Sequence, residues 1–264
     1  MCLLATALLQ LGPLQVHGQN MSINYCLPSL CPPLKRHIAC KNNGELSKIC
    51  PVDAQMLNMS EHQQNILNQL NQQRHLLAMG KVASLPVPEK MATLQWNDEL
   101  EQLAAMNVKH CALINDVCHN TLEFRNSGQT VAMQNISTAV EVTDEELVKS
   151  NIERWWDQAK HVTPDYVESY PKDAKINDIF RNFAVMAREN NTFVGCAAIK
   201  YTKGVLQHFL FACNYASNAV PETAIYHIKS RGCQNGYDRY FPALCKAGEQ
   251  YRDIEPLEPN RWPK

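Results

Sequence analysis

Phe193-Val-Gly-Cys-Ala-Ala-Ile-Lys-Tyr201 and Val205-Leu-Gln-His-Phe-Leu-Phe-Ala-Cys-Asn-Tyr215 are two apolar runs rich in β-branched and aromatic residues, joined by Thr202-Lys-Gly204. Runs of this length around a Gly-containing turn predict an antiparallel hairpin. Cys196 and Cys213 fall on opposite arms, compatible with a bridge between the strands. Upstream the period changes to that of helices. Ile66, Leu67, Leu70 and Leu77 share one side of a segment from the N-cap candidate Ser60 to about Met79, with Gly80 as the stop. A second helix is expected after Asn97, where Asp98 and Glu99 suit a helix start and Leu100, Leu103, Ala104 and Val108 repeat up to Cys111. The capping box Thr143-x-x-Glu146 opens a third, running through Leu147, Val148, Ile152, Trp155 and Trp156, with the Trp pair in the core. Ser127 to Met133 reads as a short strand and Phe180 to Ala187 as a short helix. The fold class that follows is α+β with antiparallel strands, not a regular βαβ alternation.

The ends of the chain read differently. Residues 1–18 form an apolar stretch ending Val16-His17-Gly18, expected to be a secretory signal cleaved before Gln19. It is too short to span a bilayer, and no later run approaches the roughly 20 apolar residues a membrane helix needs. Of eleven cysteines, Cys2 leaves with the signal. The ten that remain are an even set, which favours five disulfides in an oxidising compartment. Zinc is the rival reading of clustered cysteines, but there is no Cys-x2-Cys pair, and spacings of 5, 9 and 10 are loose for a thiolate site. Residues 19–59, with four cysteines and Pro28, Pro32, Pro33 and Pro51, are expected to be a stapled irregular segment. The main domain is placed at 60–220, and a C-terminal extension at 221–264, whose Cys233 and Cys245 close a local loop. Sequons at Asn20, Asn58, Asn135 and Asn190 are candidate glycosylation sites. A net charge of −1 argues against a dedicated nucleic-acid or anionic-membrane surface.

Several segments, in order along nearly the whole mature chain, carry a family resemblance. They are Asn24-Tyr25-Cys26, His37-Ile-Ala-Cys40, Asn71-x-x-Arg74, Leu94-x-Trp96-x-x-Glu99-Leu100, Asn107-Val108-Lys109-x-Cys111, Cys118-His-Asn-Thr121, Ser127-Gly128, Val194-Gly195-Cys196-Ala197 and Phe211-Ala-Cys213-Asn214-Tyr215-Ala216. Together they resemble the insect antigen 5-related, venom allergen-like branch of the CAP superfamily. The resemblance implies an α-β-α sandwich and the bridges Cys26–Cys40, Cys31–Cys118, Cys50–Cys111 and Cys196–Cys213, leaving Cys233–Cys245. It also implies a central cleft where two histidines and two glutamates can hold a divalent metal such as zinc. The matching positions here are Asn115, Gln129, Gln158 and Asn182. All four are amides, so no metal and no cofactor is expected, and the cleft should persist as a self-satisfied polar network.

No Gly-x-Ser-x-Gly, His-Glu-x-x-His or phosphate-cradling glycine loop occurs, so no catalytic residue is assigned. The function the resemblance implies, with the degenerate cleft, is a secreted, non-enzymatic interaction protein whose partner is an extracellular protein or a small apolar ligand, in a reproductive, seminal or salivary fluid. Alternatives are a lipid or sterol carrier and a hydrolase with an unrecognised triad. An integrin-blocking role lacks its usual Arg-Gly-Asp, having only Arg231-Gly232-Cys233.

Overall fold

The structure, a computed structural model, describes residues 23–82, 84–228 and 232–251. In chain order its elements are β1 (Gln55–Met56), α1 (Gln63–Ala78), β2 (Gln95–Trp96), α2 (Asp98–Val108), β3 (Gly128–Ser137), α3 (Asp144–Trp156), α4 (Pro164–Glu168), α5 (Ala174–Met186), β4 (Phe193–Lys203) and β5 (Leu206–Tyr215). The strands form one sheet in the order β1-β4-β5-β3, with β2 pairing parallel to the start of β4. Residues 1–18, expected to be a signal, and Asn20 lie outside the described residues.

The hairpin β4–β5 is the centre of the sheet and explains the layers. Its side chains alternate between faces. Ala197, Ile199 and Tyr201 of β4 and Leu210 and Ala212 of β5 pack with Ala104 and Val108 of α2. Cys196 and Ala198, with Phe209, Phe211, Cys213 and Tyr215, face the opposite core, where α1, α3 and α5 lie. A sheet buried on both faces needs apolar residues in both alternating sets, which is why the two runs are almost continuously apolar. Trp155 stacks on Phe211 with ring centroids 5.2 Å apart, and Trp156 meets Phe183 edge-on at 5.0 Å. The turn is one residue later than the sequence suggests. Lys203 pairs with Leu206, so Gly204 and Val205 alone make it, and Gly204 takes φ +62°.

Three other boundaries move. α1 starts at Gln63, because Ser60 sits in a 3-10 turn over Met59–Glu61 and its hydroxyl donates to Asn58 Oδ1 at 2.9 Å instead of capping the helix. β3 runs ten residues along β5, and α5 begins at Ala174, with a break at Phe180 (φ −134°, ψ 21°). The caps at Asn97 and Thr143 form, Asn97 Oδ1 accepting from Leu100 N at 2.9 Å and Thr143 exchanging bonds with Glu146.

Five disulfides form among the described residues: Cys26–Cys40, Cys31–Cys118, Cys50–Cys111, Cys196–Cys213 and Cys233–Cys245. Cys196 and Cys213 are direct cross-strand partners. Two bridges with sequence separations of 87 and 61 fasten the N-terminal segment to the chain beyond α2, each contributing about 4–5 kcal/mol on the chain-entropy account. The C-terminal extension is more than a local loop. Cys245 N donates to Met91 O at 2.7 Å, Thr93 N donates to Cys245 O at 3.1 Å, and Leu244 is wholly buried in the main core.

Two residues of the matching segments have visible structural work. Gly195 lies against the first turn of α2, where an added Cβ would stand 2.1 Å from Glu101 N. Arg74 of α1 is fully buried and sends its donors to backbone carbonyls of Ala92 (3.0 and 2.8 Å), Met186 (2.6 Å), Arg188 (2.8 Å), Glu189 (3.4 Å) and Asn191 (3.2 Å). Burial lowers its pKa to about 10, leaving it charged at neutral pH. Arg74→Met removes the donors while keeping much of the volume. Stranding those carbonyls should cost about 3–5 kcal/mol, read as a lower midpoint in denaturant titration of the disulfide-intact protein.

Candidate functional site

The four amide positions fall into two linked pairs. The first begins where α2 ends. Asn107 Nδ2 donates to Ile114 O at 3.0 Å and to Asp116 Oδ1 at 2.7 Å, which holds the following loop against the helix. Gln129, the second residue of β3, is buried opposite Asn214 of β5. Its Nε2 donates to Asp116 Oδ2 at 2.6 Å and to Asn214 Oδ1 at 2.9 Å, while its Oε1 accepts from Asp116 N at 2.8 Å and from Asn115 Nδ2 at 3.3 Å. A primary amide offers two protons and two lone pairs. All four are used.

In the second pair, Gln158 lies in the 3-10 turn Asp157–His161 that continues α3, and its Oε1 accepts from the backbone N–H of Asn182 at 3.0 Å and of Phe183 at 3.2 Å. These two donors are freed by the break at Phe180 inside α5, so the side chain of one helix caps the restart of another. Arg181 links the pairs, its Nη1 donating to Gln129 O at 3.0 Å.

The donor set does not fit a divalent transition metal. The buried Gln129 oxygen has no lone pair left, the amide nitrogens have none to give, and a guanidinium reaches the same strand. Among the described residues, no group of three or more His, Cys, Asp and Glu side chains stands where it could share a cation.

Sequence reading missed three members of this centre. Asn214 sits in a quoted motif but carried no role until the register set it beside Gln129. Arg181 stands as a charge inside the apolar stretch Ile179-Phe180-x-x-Phe183, a signal that could have drawn notice. His119, which sits in the matching segment Cys118-His-Asn-Thr121 without a role, is buried and faces Asp116, Arg181 and His37. Burial holds the pKa of His119 and of His37 below the usual value, against the opposing pull of Asp116. His37 Nε2 pairs with Asn120 O at 2.7 Å and its ring stacks on Tyr25.

The sequons differ in access. Asn58 and Asn135 are exposed, whereas Asn190 is 4% exposed and its side-chain oxygen is buried.

The model described as "CAP: Cysteine-rich secretory protein family" matches residues 67–215. The chain belongs to the CAP family. Insect venom allergens and antigen 5 proteins are among its relatives. Venom allergen-1 of Aedes aegypti is 29% identical over 87% of this chain and 89% of its own length. Antigen 5 like allergen Cul n 1 of Culicoides nubeculosus is 29% identical over 69% of this chain and 85% of its own. Tabinhibitin 3 of Tabanus yao is 27% identical over 88% and 90%. Among solved structures, NaASP2 with Zn2+ superposes with a TM-score of 0.54 at 16% identity, over 74% of this chain and 99% of that one, a likeness of fold. The CAP sandwich described above accounts for that likeness.

Two outcomes test the centre. Gln129→Glu replaces an amide that donates to Asp116 with a second carboxylate, so two like charges meet in a buried place. The variant should lose about 2–4 kcal/mol at neutral pH, and the deficit should shrink in acid as the introduced carboxyl takes up a proton, which denaturant titrations at two pH values would read. The native protein should show an acid limb of its own. His119 and His37 are kept neutral by folding but protonate in the unfolded chain near pH 6.5. The unfolded state therefore binds more protons below that pH, so stability is full above it and is lost as pH falls. His119→Gln should flatten that limb in the same titration.

Proposed function

We propose that this chain is a secreted, extracellular binding protein that keeps the CAP scaffold, has exchanged the family's ion-holding centre for neutral amides, and carries no catalytic centre. The observation that supports this is the saturation of Gln129, whose amide has every donor and acceptor committed to Asn115, Asp116 and Asn214. A carboxylate in that position would have charge and lone pairs to offer a cation. The amide instead joins β3, β5 and the loop after α2 into a self-contained network. Function then moves to the surface, where the partner is an extracellular protein or a small apolar ligand. Secretion is supported by the ten cysteines paired as five bridges and by insect relatives named as venom allergens. Among the described residues no helix is long and apolar enough to cross a membrane.

Zinc calorimetry on the disulfide-intact protein at neutral pH is the direct test. The expected trace is featureless beyond dilution heat at micromolar zinc. Stoichiometric uptake would overturn the reading.

A further inference from the structure

A net charge of −1 conceals a division of charge along the chain. Between Tyr25 and Pro51 stand Lys35, Arg36, Lys41 and Lys48 against Glu45 alone, while the first turn of α3 gathers Asp144, Glu145 and Glu146. The cationic stretch forms one wall of a groove of about 530 Å³, and Met106, Lys109 and His110 at the end of α2 form the other.

The groove is held open by covalent and hydrogen bonds. Cys26–Cys40 closes the first wall on itself, and Cys50–Cys111 fastens it to the chain just beyond α2. Arg36 Nε and Nη2 donate to Cys40 O at 3.1 and 2.6 Å, and Lys109 Nζ donates to Gly44 O at 2.6 Å. Two of the cations are therefore set in place by backbone carbonyls, which leave their charge uncompensated. Lys41 and Lys48 are exposed. Among the described residues none of these four pairs with a carboxylate, and Glu45 accepts from Asn43 Nδ2 at 2.7 Å. Cations fixed before binding lose little conformational freedom when an anion arrives.

We infer that this groove binds a linear sulfated polysaccharide of the glycosaminoglycan type. Its lining supplies cations for sulfate groups and the side chains of Asn42, Asn43 and Ser47 for sugar hydroxyls. No Phe, Tyr or Trp lines it, so it lacks the stacking platform that single-stranded nucleic acid needs. A frame closed by disulfides belongs to an oxidising compartment, where linear polyanions carry sulfate more often than phosphodiester. The inference rests on the extracellular reading above and gives it one class of partner.

The test is binding of the whole secreted protein to immobilised heparin, with hyaluronan, which carries carboxylates but no sulfate, as comparison. Capture by heparin should exceed capture by hyaluronan and weaken steeply with salt. K41Q/K48Q should bind heparin roughly tenfold or more weakly, while K149Q/K172Q, which removes equal charge from exposed sites on other elements, should bind like the native protein. Equal loss in both double variants would overturn the inference by making the attraction diffuse. So would equal capture by hyaluronan, or capture by phosphatidylserine vesicles without capture by heparin. Zinc calorimetry on the same sample keeps the two readings apart: absent heparin binding with silent calorimetry removes the groove alone, and zinc uptake removes the amide-centre reading alone.

Discussion

Arg74 is the interaction on which the remaining architecture leans. A guanidinium without solvent is costly unless each donor finds an acceptor, and here the acceptors are carbonyls from Ala92 and from the turn Met186–Asn191. One side chain on α1 therefore fixes the end of α5, the entry to β4 and the extended stretch that leads into β2. Asn71, one turn earlier, adds to the clamp by donating to Leu94 O at 3.0 Å and accepting from Leu94 N at 2.8 Å. Residues 91–93 are in turn the strip on which Cys245 docks, so the C-terminal extension is anchored through the same region.

With those ends fixed, the sheet can be buried from both sides. The side-chain alternation of β4 and β5 divides one hairpin between two cores, and Gly195 lets α2 approach closely enough to cover its face. The amide centre stands where these parts meet, with contributions from the loop after α2, from β3, from β5 and from α5. Because Gln129 and Gln158 each bond to groups on other elements, the centre is also a joint.

Much of this was legible in the sequence, for local reasons. The hairpin was marked by its two apolar, β-branched and aromatic runs and its Gly, the second and third helices by Asn97 and by the Thr143 box, and both Trp side chains lie in the core as read. The pairing of the cysteines was open on spacing and came through the family resemblance. What stayed hidden was non-local. β1 and β2 have two residues each, too few to show a period. The first half of α5 is largely exposed and the helix is broken at Phe180, so only its buried second half was read as a helix. The union of Cys245 with Met91 and Thr93, and of Asn214 with Gln129, depends on contacts across long stretches of chain that no spacing rule reports. The four amides were found one by one from the motifs around them, whereas Arg181 and His119 belong to the centre by position in space.

The central hairpin is also nearly the last part of the domain to be made. β1, β2 and β3 all pair with strands from residues 193–215, so a chain emerging from the ribosome holds three unpartnered strands until those residues appear. Six cysteines, from Cys26 to Cys118, are already available to oxidise in that interval, before the sheet exists to orient them. Wrong thiol pairs made early must be exchanged for native ones later, at rates of seconds to hours. The native pairing of those six cysteines is therefore secured only once residues 193–215 have completed the sheet.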